Sequence, residues 1–178
     1  MAFNEDSRVK IPALLHLARL DYEYIPRNQH SNRIEKNNIF PIIFKEGIKN
    51  INPNISDDEV NKLLEEISAS LEFDDLGRDF YQRLTSSSGI KLIDFENFEK
   101  NLFHFTTELV YKSGEEEFRP DITILINGMP LAFVEVKKPN NREGIIAERN
   151  RMNRRFGAKH FKIFANITQL MIFSNNME

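Results

Sequence analysis

Hydrophobic periodicity divides the chain into two regimes. Up to about residue 85 the apolar side chains recur every three to four positions, the spacing of one helical face. Residues 5–20 carry Val9, Leu14, Leu15, Leu17 and Ala18 in such a pattern, with Pro12 in the first turn or at a kink. A Tyr-rich turn or short extended piece follows over 21–26, and 29–38 is polar enough for a loop or short helix. Pro41 suits the first position of a helix reaching about Asn50 that buries Ile43, Phe44 and Ile48. Pro53 ends it. Ser56 and Glu59 form a capping box flanked by the staple residues Ile55 and Val60. Val60, Leu63, Leu64, Ile67 and Leu71 then repeat at helical spacing, and Leu76, Phe80 and Leu84 predict a second short helix before the loop Thr85-Ser-Ser-Ser-Gly89.

From Ile90 the period becomes two. Ile90, Leu92 and Phe95 predict a short strand, and Phe103, Phe105, Thr107, Leu109 and Tyr111 a longer one. Residues 114–117 form a turn. Then comes F-R-P-D-I-T-I-L-I-N-G-M-P-L-A-F-V-E-V-K-K-P, residues 118–139, two apolar strands joined at Asn127-Gly128, a dipeptide suited to the φ > 0 geometry of tight hairpins. A helix over 143–156 follows, with Ile145, Ile146, Met152 and Phe156 able to face the sheet and Gly157 ending it. Two last strands are expected over 161–165 and 170–174. The pattern predicts one α/β domain over 1–178 with a central mixed sheet flanked by helices, and a helical insertion over about 30–85.

Composition narrows this picture. The chain has 178 residues and no Cys, which excludes a disulfide framework and a thiolate zinc site. No apolar run approaches the ~18 residues of a membrane span. The polar N-terminus is unlike a signal peptide, so a cytoplasmic location is expected. A net charge of −3 argues against a DNA-coating protein, but from Lys137 to Lys162 nine Lys/Arg face two Glu, while the remainder carries 15 basic and 25 acidic residues. A basic segment just after the hairpin suits a polyanion; its plain alternative is a solvated helix face. Lys138, Arg151, Arg154 and Arg155 are its candidate DNA contacts.

The hairpin carries the chemistry. Asp121 opens its first strand, and Glu135 and Lys137 close the second. Buried charges need partners, and a divalent metal on both carboxylates would be one. Mg²⁺ favours oxygen ligands and keeps several waters, so Asp121, Glu135 and the Val136 carbonyl would suffice. Such an ion can activate a water and neutralise charge at a phosphodiester. Lys137, two residues after Glu135, lies on the same side of the strand and could orient the water. The alternative is a strand-end ion pair with Asp121 as a cap. The four His are scattered without metal-ligand spacing, and no phosphate-binding glycine loop is present.

A shared metal constrains the register. With a strict two-residue turn Asp121 would oppose Val134, and Glu135 would point to the other face of the sheet. The site therefore requires a one-residue shift, through a three-residue loop or a bulge before Glu135, with Pro130 a place where regular pairing can lapse.

The arrangement P-D…(D/E)-x-K, together with L-D-Y-E-Y at 20–24, L-I-D-F-E-N at 92–97 and N-I-T-Q-L-M-I-F-S-N-N at 166–176, resembles the N-terminal nuclease domain of the R (restriction, motor) subunit of type I restriction enzymes, in the PD-(D/E)xK nuclease superfamily. The resemblance implies a restriction-endonuclease-like core and Mg²⁺-dependent cleavage of double-stranded DNA, with Asp121, Glu135 and Lys137 in the catalytic positions. It puts Glu5 forward as the acidic residue that relatives carry on an N-terminal helix. Where relatives have Gln-x-x-x-Tyr, this chain has Arg151/Arg155 or Met152/Phe156. It also implies that the chain is a fragment. Its ATP-dependent motor would be absent, and the longer protein would act with methylation and specificity subunits. A nuclease-fold module that binds DNA or subunits without cutting is the alternative.

Overall fold

The structure, a computed structural model, describes residues 9–137, 142–157 and 161–174. Glu5 and Lys138, both singled out above, lie outside the described residues. In chain order the elements are α1 (Ile11–Arg19), β1 (Glu23–Tyr24), α2 (Pro41–Ile51), α3 (Asp57–Ser70), α4 (Arg78–Thr85), β2 (Phe103–Thr107), β3 (Tyr111–Ser113), β4 (Glu116–Phe118), β5 (Ile122–Ile126), β6 (Met129–Val136), α5 (Arg142–Gly157), α6 (Lys162–Ile167) and β7 (Leu170–Ser174). A 3-10 helix, Arg27–Asn32, overlaps the start of the 29–38 stretch.

Five strands make one mixed sheet, ordered β1-β2-β5-β6-β7, and β3 pairs with β4 in a separate hairpin. The inner pairs β2/β5 and β5/β6 are antiparallel, whereas β1 and β7 lie parallel to their neighbours. The route from β6 to β7 passes through α5 and α6, as a parallel crossover requires. Central β6 is buried at every position but Ala132, which explains its near-continuous apolar run.

Alternation along the strands sorts side chains into layers. Val134 and Val136 join Ile122 and Phe105 beneath α1, while Phe133 packs with Phe164 of α6 and Met152 of α5. Glu135 and Lys137 share the parity of Phe133 and so project on the α5 side. The insertion packs its own core of Phe44, Ile48, Val60, Leu63, Ile67, Phe80 and Leu84 against Met129 and Leu131 of the hairpin. The Ser56–Glu59 capping box is present in both directions. No helix among the described residues is long and apolar enough to cross a membrane.

Several local expectations give way to tertiary contacts. No strand forms at Ile90 to Phe95; the Asp94 carboxylate instead accepts from the backbone N–H groups of Glu96 and Asn97, turning the chain locally. The strand expected from Phe103 to Tyr111 is split at Glu108, whose φ of 56° breaks the extended run. Leu76 is not helical but stands at φ 56°, just before the Gly77 cap of α4, and is exposed. Residues 161–165 belong largely to helix α6 rather than to a strand. Phe161, Ile163 and Ala165 fit an alternating pattern and Phe161, Phe164 and Ala165 a helical stripe, and Asn166 decides between them by donating to the Leu71 and Phe73 carbonyls.

Candidate active site

The tip of the β5–β6 hairpin is pinned by buried polar contacts. Asn127 and Gly128 take φ values of 48° and 75°, the geometry of a two-residue primed turn. The Asn127 side chain accepts from Leu102 N (2.8 Å) and donates to the carbonyl of Leu92 (2.9 Å) and to Asn101 Oδ1 (3.0 Å). A Cβ on Gly128 would lie 2.6 Å from Phe44 N and 2.7 Å from the Phe40 oxygen, so only glycine fits.

From this fixed tip the strands start in the strict register, with Ile126 opposite Met129 and Leu125 opposite Pro130. The next pair is Ile124 with Ala132, so Leu131 is the extra residue of a bulge. Pairing continues as Thr123 with Phe133 and Ile122 with Val134. Extended by one step, this register brings Asp121 opposite Glu135, on the same face. The one-residue shift required by a shared site is present, immediately after Pro130.

At the open end Asp121 Oδ2 accepts from Val136 N at 2.9 Å. The Glu135 side chain is 8% exposed, and Lys137 Nζ lies 3.9 Å from Glu135 Oε2. The Glu135 carboxyl is pushed up to about 8: burial disfavours its charge, the Asp121 and Glu148 carboxylates repel it, and a hydrogen bond with Asp121 holds its proton, with Lys137 only partly offsetting this. A site that crowds carboxyl groups until one of them keeps its proton is short of positive charge. Its donors are hard oxygens, the set that suits Mg²⁺. Among the described residues no three His, Asp or Glu side chains come close enough to hold a metal ion together.

Two residues at the site had not been singled out. Lys10, at the entry to α1, pairs with Glu108 and reaches Asp121 Oδ1 at 3.4 Å. Burial alone would lower the Lys10 pKa, but Glu108 and Asp121 outweigh it and raise it. No sequence periodicity points to Lys10. Glu148, on α5, is 4% exposed and lies 3.5 Å from Lys137 Nζ. It occupies the helical stripe of Met152 and Phe156, and that spacing was its one available signal. Of the residues expected to face the sheet, Met152 is buried and Ile146 is half exposed, while the Ile145 side chain lies outside the described residues; among the described residues of α5, Glu148 is buried beside Met152.

Arg151, Arg154 and Arg155 differ in their surroundings. Arg151 is paired with Glu148 through two hydrogen bonds, Arg155 stacks over the Phe118 ring at 4.3 Å and contacts Met152, and Arg154 is exposed.

Residues 2–178 match the family model described as the type I restriction enzyme R protein N terminus. The chain belongs to this family. It is 31% identical over 169 residues to a putative type I restriction enzyme MjaIXP endonuclease subunit of Methanocaldococcus jannaschii, covering 79% of this chain. Shorter matches join it to the putative MjaVIIIP and MjaVIIP endonuclease subunits of the same organism, at 44% over 52 residues and 45% over 47. The chain spans only 16% of the length of the first of these relatives and 5% and 4% of the other two. In this R protein N terminus the buried Glu135 of β6 and Glu148 of α5 meet at Lys137.

Proposed function

We propose that this R protein N terminus is a Mg²⁺-dependent endonuclease domain of the PD-(D/E)xK type that hydrolyses phosphodiester bonds of double-stranded DNA. The observation that carries the reading is the bulge at Leu131. It shifts the register so that Asp121 opposes Glu135, with Lys137 further along the same face. A plain ion-pair network has no need of such a shift.

In this reading Asp121, Glu135 and the Val136 carbonyl hold the ion. Bound there, Mg²⁺ lowers the pKa of water and neutralises phosphate charge. Asp121, fixed by Val136 N, presents its remaining oxygen towards the site and Lys10. Glu135 gives up its proton when it becomes a ligand. Lys137 orients the attacking water and offsets negative charge developing at phosphorus. Arg154, exposed in the last turns of α5, and Lys138 contact phosphates without reading bases. Arg151, half exposed but paired with Glu148, and Arg155, stacked over Phe118, contribute less to that role.

The longer protein would add an ATP-dependent motor and act with methylation and specificity subunits, and cleavage would be expressed in that cytoplasmic assembly. The test is plasmid nicking with Mg²⁺ by the assembled enzyme, wild type against Lys137→Ala and Asp121→Ala, both folded by circular dichroism. Loss of nicking in both variants supports the assignment. Undiminished nicking by either would leave the non-cutting binding module as the better reading.

A further inference from the structure

Helix α5 turns a glutamate towards the sheet where an apolar residue would be expected. We propose that Glu148 is a positioning residue for Lys137: its carboxylate, locked by Arg151, is the counter-charge that keeps the Lys137 ammonium in place when a divalent cation sits on Asp121 and Glu135. The inference rests on the metal site of the proposed function.

Glu148 is more deeply buried than Glu135, at 4% against 8% exposure, and shares its stripe with buried Met152. Folding alone does not call for an acid there, because a buried ion pair is often no more stabilising than well-packed apolar side chains of similar volume. Its oxygens are also taken. Oε1 accepts from Arg151 Nε at 2.8 Å, and Oε2 accepts from the other arm of the same guanidinium and faces Lys137 at 3.5 Å. That bidentate grip leaves Glu148 poorly placed to become a third ligand, in agreement with the absence of any three-carboxylate metal set among the described residues.

What remains is its action on Lys137. The ammonium sits nearer Glu148 than Glu135, at 3.5 Å against 3.9 Å. A divalent ion on Asp121 and Glu135 would repel the ammonium, which rides on a flexible four-carbon stem, and leave neither carboxylate free to hold it. Only a counter-charge that is itself not a ligand can then hold the lysine at the site. Glu148 meets both conditions, and it stands on a different element from the metal residues, so metal binding does not pull it away.

The test reads Lys137 itself. The 178-residue chain is labelled with an amine-acylating reagent, with and without saturating Mg²⁺, and modification at Lys137 is followed by peptide mass spectrometry while calorimetry follows Mg²⁺ binding. In wild type Lys137 should stay protected in both conditions. In Glu148→Gln, Mg²⁺ should raise its labelling rate about tenfold, a change of ~1.4 kcal/mol in protection, and Glu148→Asp should restore most of the protection. Equal protection in Glu148→Gln with Mg²⁺ bound would overturn the inference. So would labelling raised as much without Mg²⁺ as with it, the mark of a purely structural role. Loss of Mg²⁺ binding in Glu148→Gln alone would make Glu148 a ligand and overturn it too. Absence of Mg²⁺ binding in wild type would overturn the metal site first, and the inference with it.

Discussion

Replacing Glu135 by glutamine should stabilise the metal-free protein, and increasingly so as the pH rises. In the unfolded chain this carboxyl ionises near its ordinary 4.5, whereas in the folded protein it does so at about 8. Below pH 4.5 both states hold the proton and nothing is lost. Between 4.5 and 8 the unfolded state has released it and the folded state has not. The unfolded state then binds fewer protons, and stability falls as pH rises, by ~1.4 kcal/mol per pH unit. The contribution is therefore fully present below 4.5 and lost once the pH passes about 8. At pH 7 the accumulated loss is on the order of 3 kcal/mol. The amide introduced by Glu135→Gln cannot ionise, yet it retains a donor for Asp121 in place of the carboxyl proton. The variant should thus match wild type near pH 5 and exceed it by roughly 3 kcal/mol at pH 7, a gain of several degrees in Tm for a chain of this size. Urea unfolding in EDTA across about pH 5–8.5 measures this directly, and the contributions of titrating groups remote from Glu135 cancel between the two proteins. A stability difference independent of pH, or a variant less stable than wild type at about pH 8, would show that burial and the neighbouring carboxylates do not hold the proton on Glu135.

Other expectations concern the turn, the chemistry and the DNA-facing helix. Gly128→Ala should cost ~3 kcal/mol or more, since it forces φ 75° on an alanine and drives its Cβ into the α2 backbone; a loss under about 1 kcal/mol in chemical denaturation would show that the hairpin tip can move away from α2. Lys137→Ala should lower single-turnover DNA cleavage by the assembled enzyme by about 10²–10³-fold with little change in DNA affinity, and a matching fall in affinity would assign the lysine to binding instead. Arg154→Gln should reduce the salt dependence of DNA binding by about one unit of log–log slope, whereas Arg151→Gln should reduce it by less because Glu148 already holds that guanidinium; equal effects in filter-binding titrations would dismiss the distinction.

Much of the site was readable along the chain, because strand alternation has a period of two and the tight turn has its own residue signature. Asn127-Gly128 located the turn, the apolar runs located β5 and β6, and the need for two carboxylates on one face required a register shift that the bulge at Leu131 supplies. Element type failed where a short pattern fits two periods, as in the Phe161–Ile167 stretch that Asn166 anchors as helix, or where one residue breaks an alternation, as Glu108 does at φ 56°. Nothing in the local sequence could choose between these outcomes, since the deciding partners, Leu71 and Phe73, lie more than 90 positions away. The same limit applies to the charges. Asp121, Glu135 and Lys137 announce themselves because 14 residues of hairpin link the two carboxylates. Lys10 reaches Asp121 from 111 positions upstream. Glu148 enters through the rotation of α5 about its own axis, and the separate engagement of Arg151 and Arg155 depends on that same rotation. Sequence determined which strands carry the acids and which turn joins them; only packing of α5 and α1 against the sheet decided which charges surround those acids, because long-range electrostatics depends on distances that no local periodicity encodes.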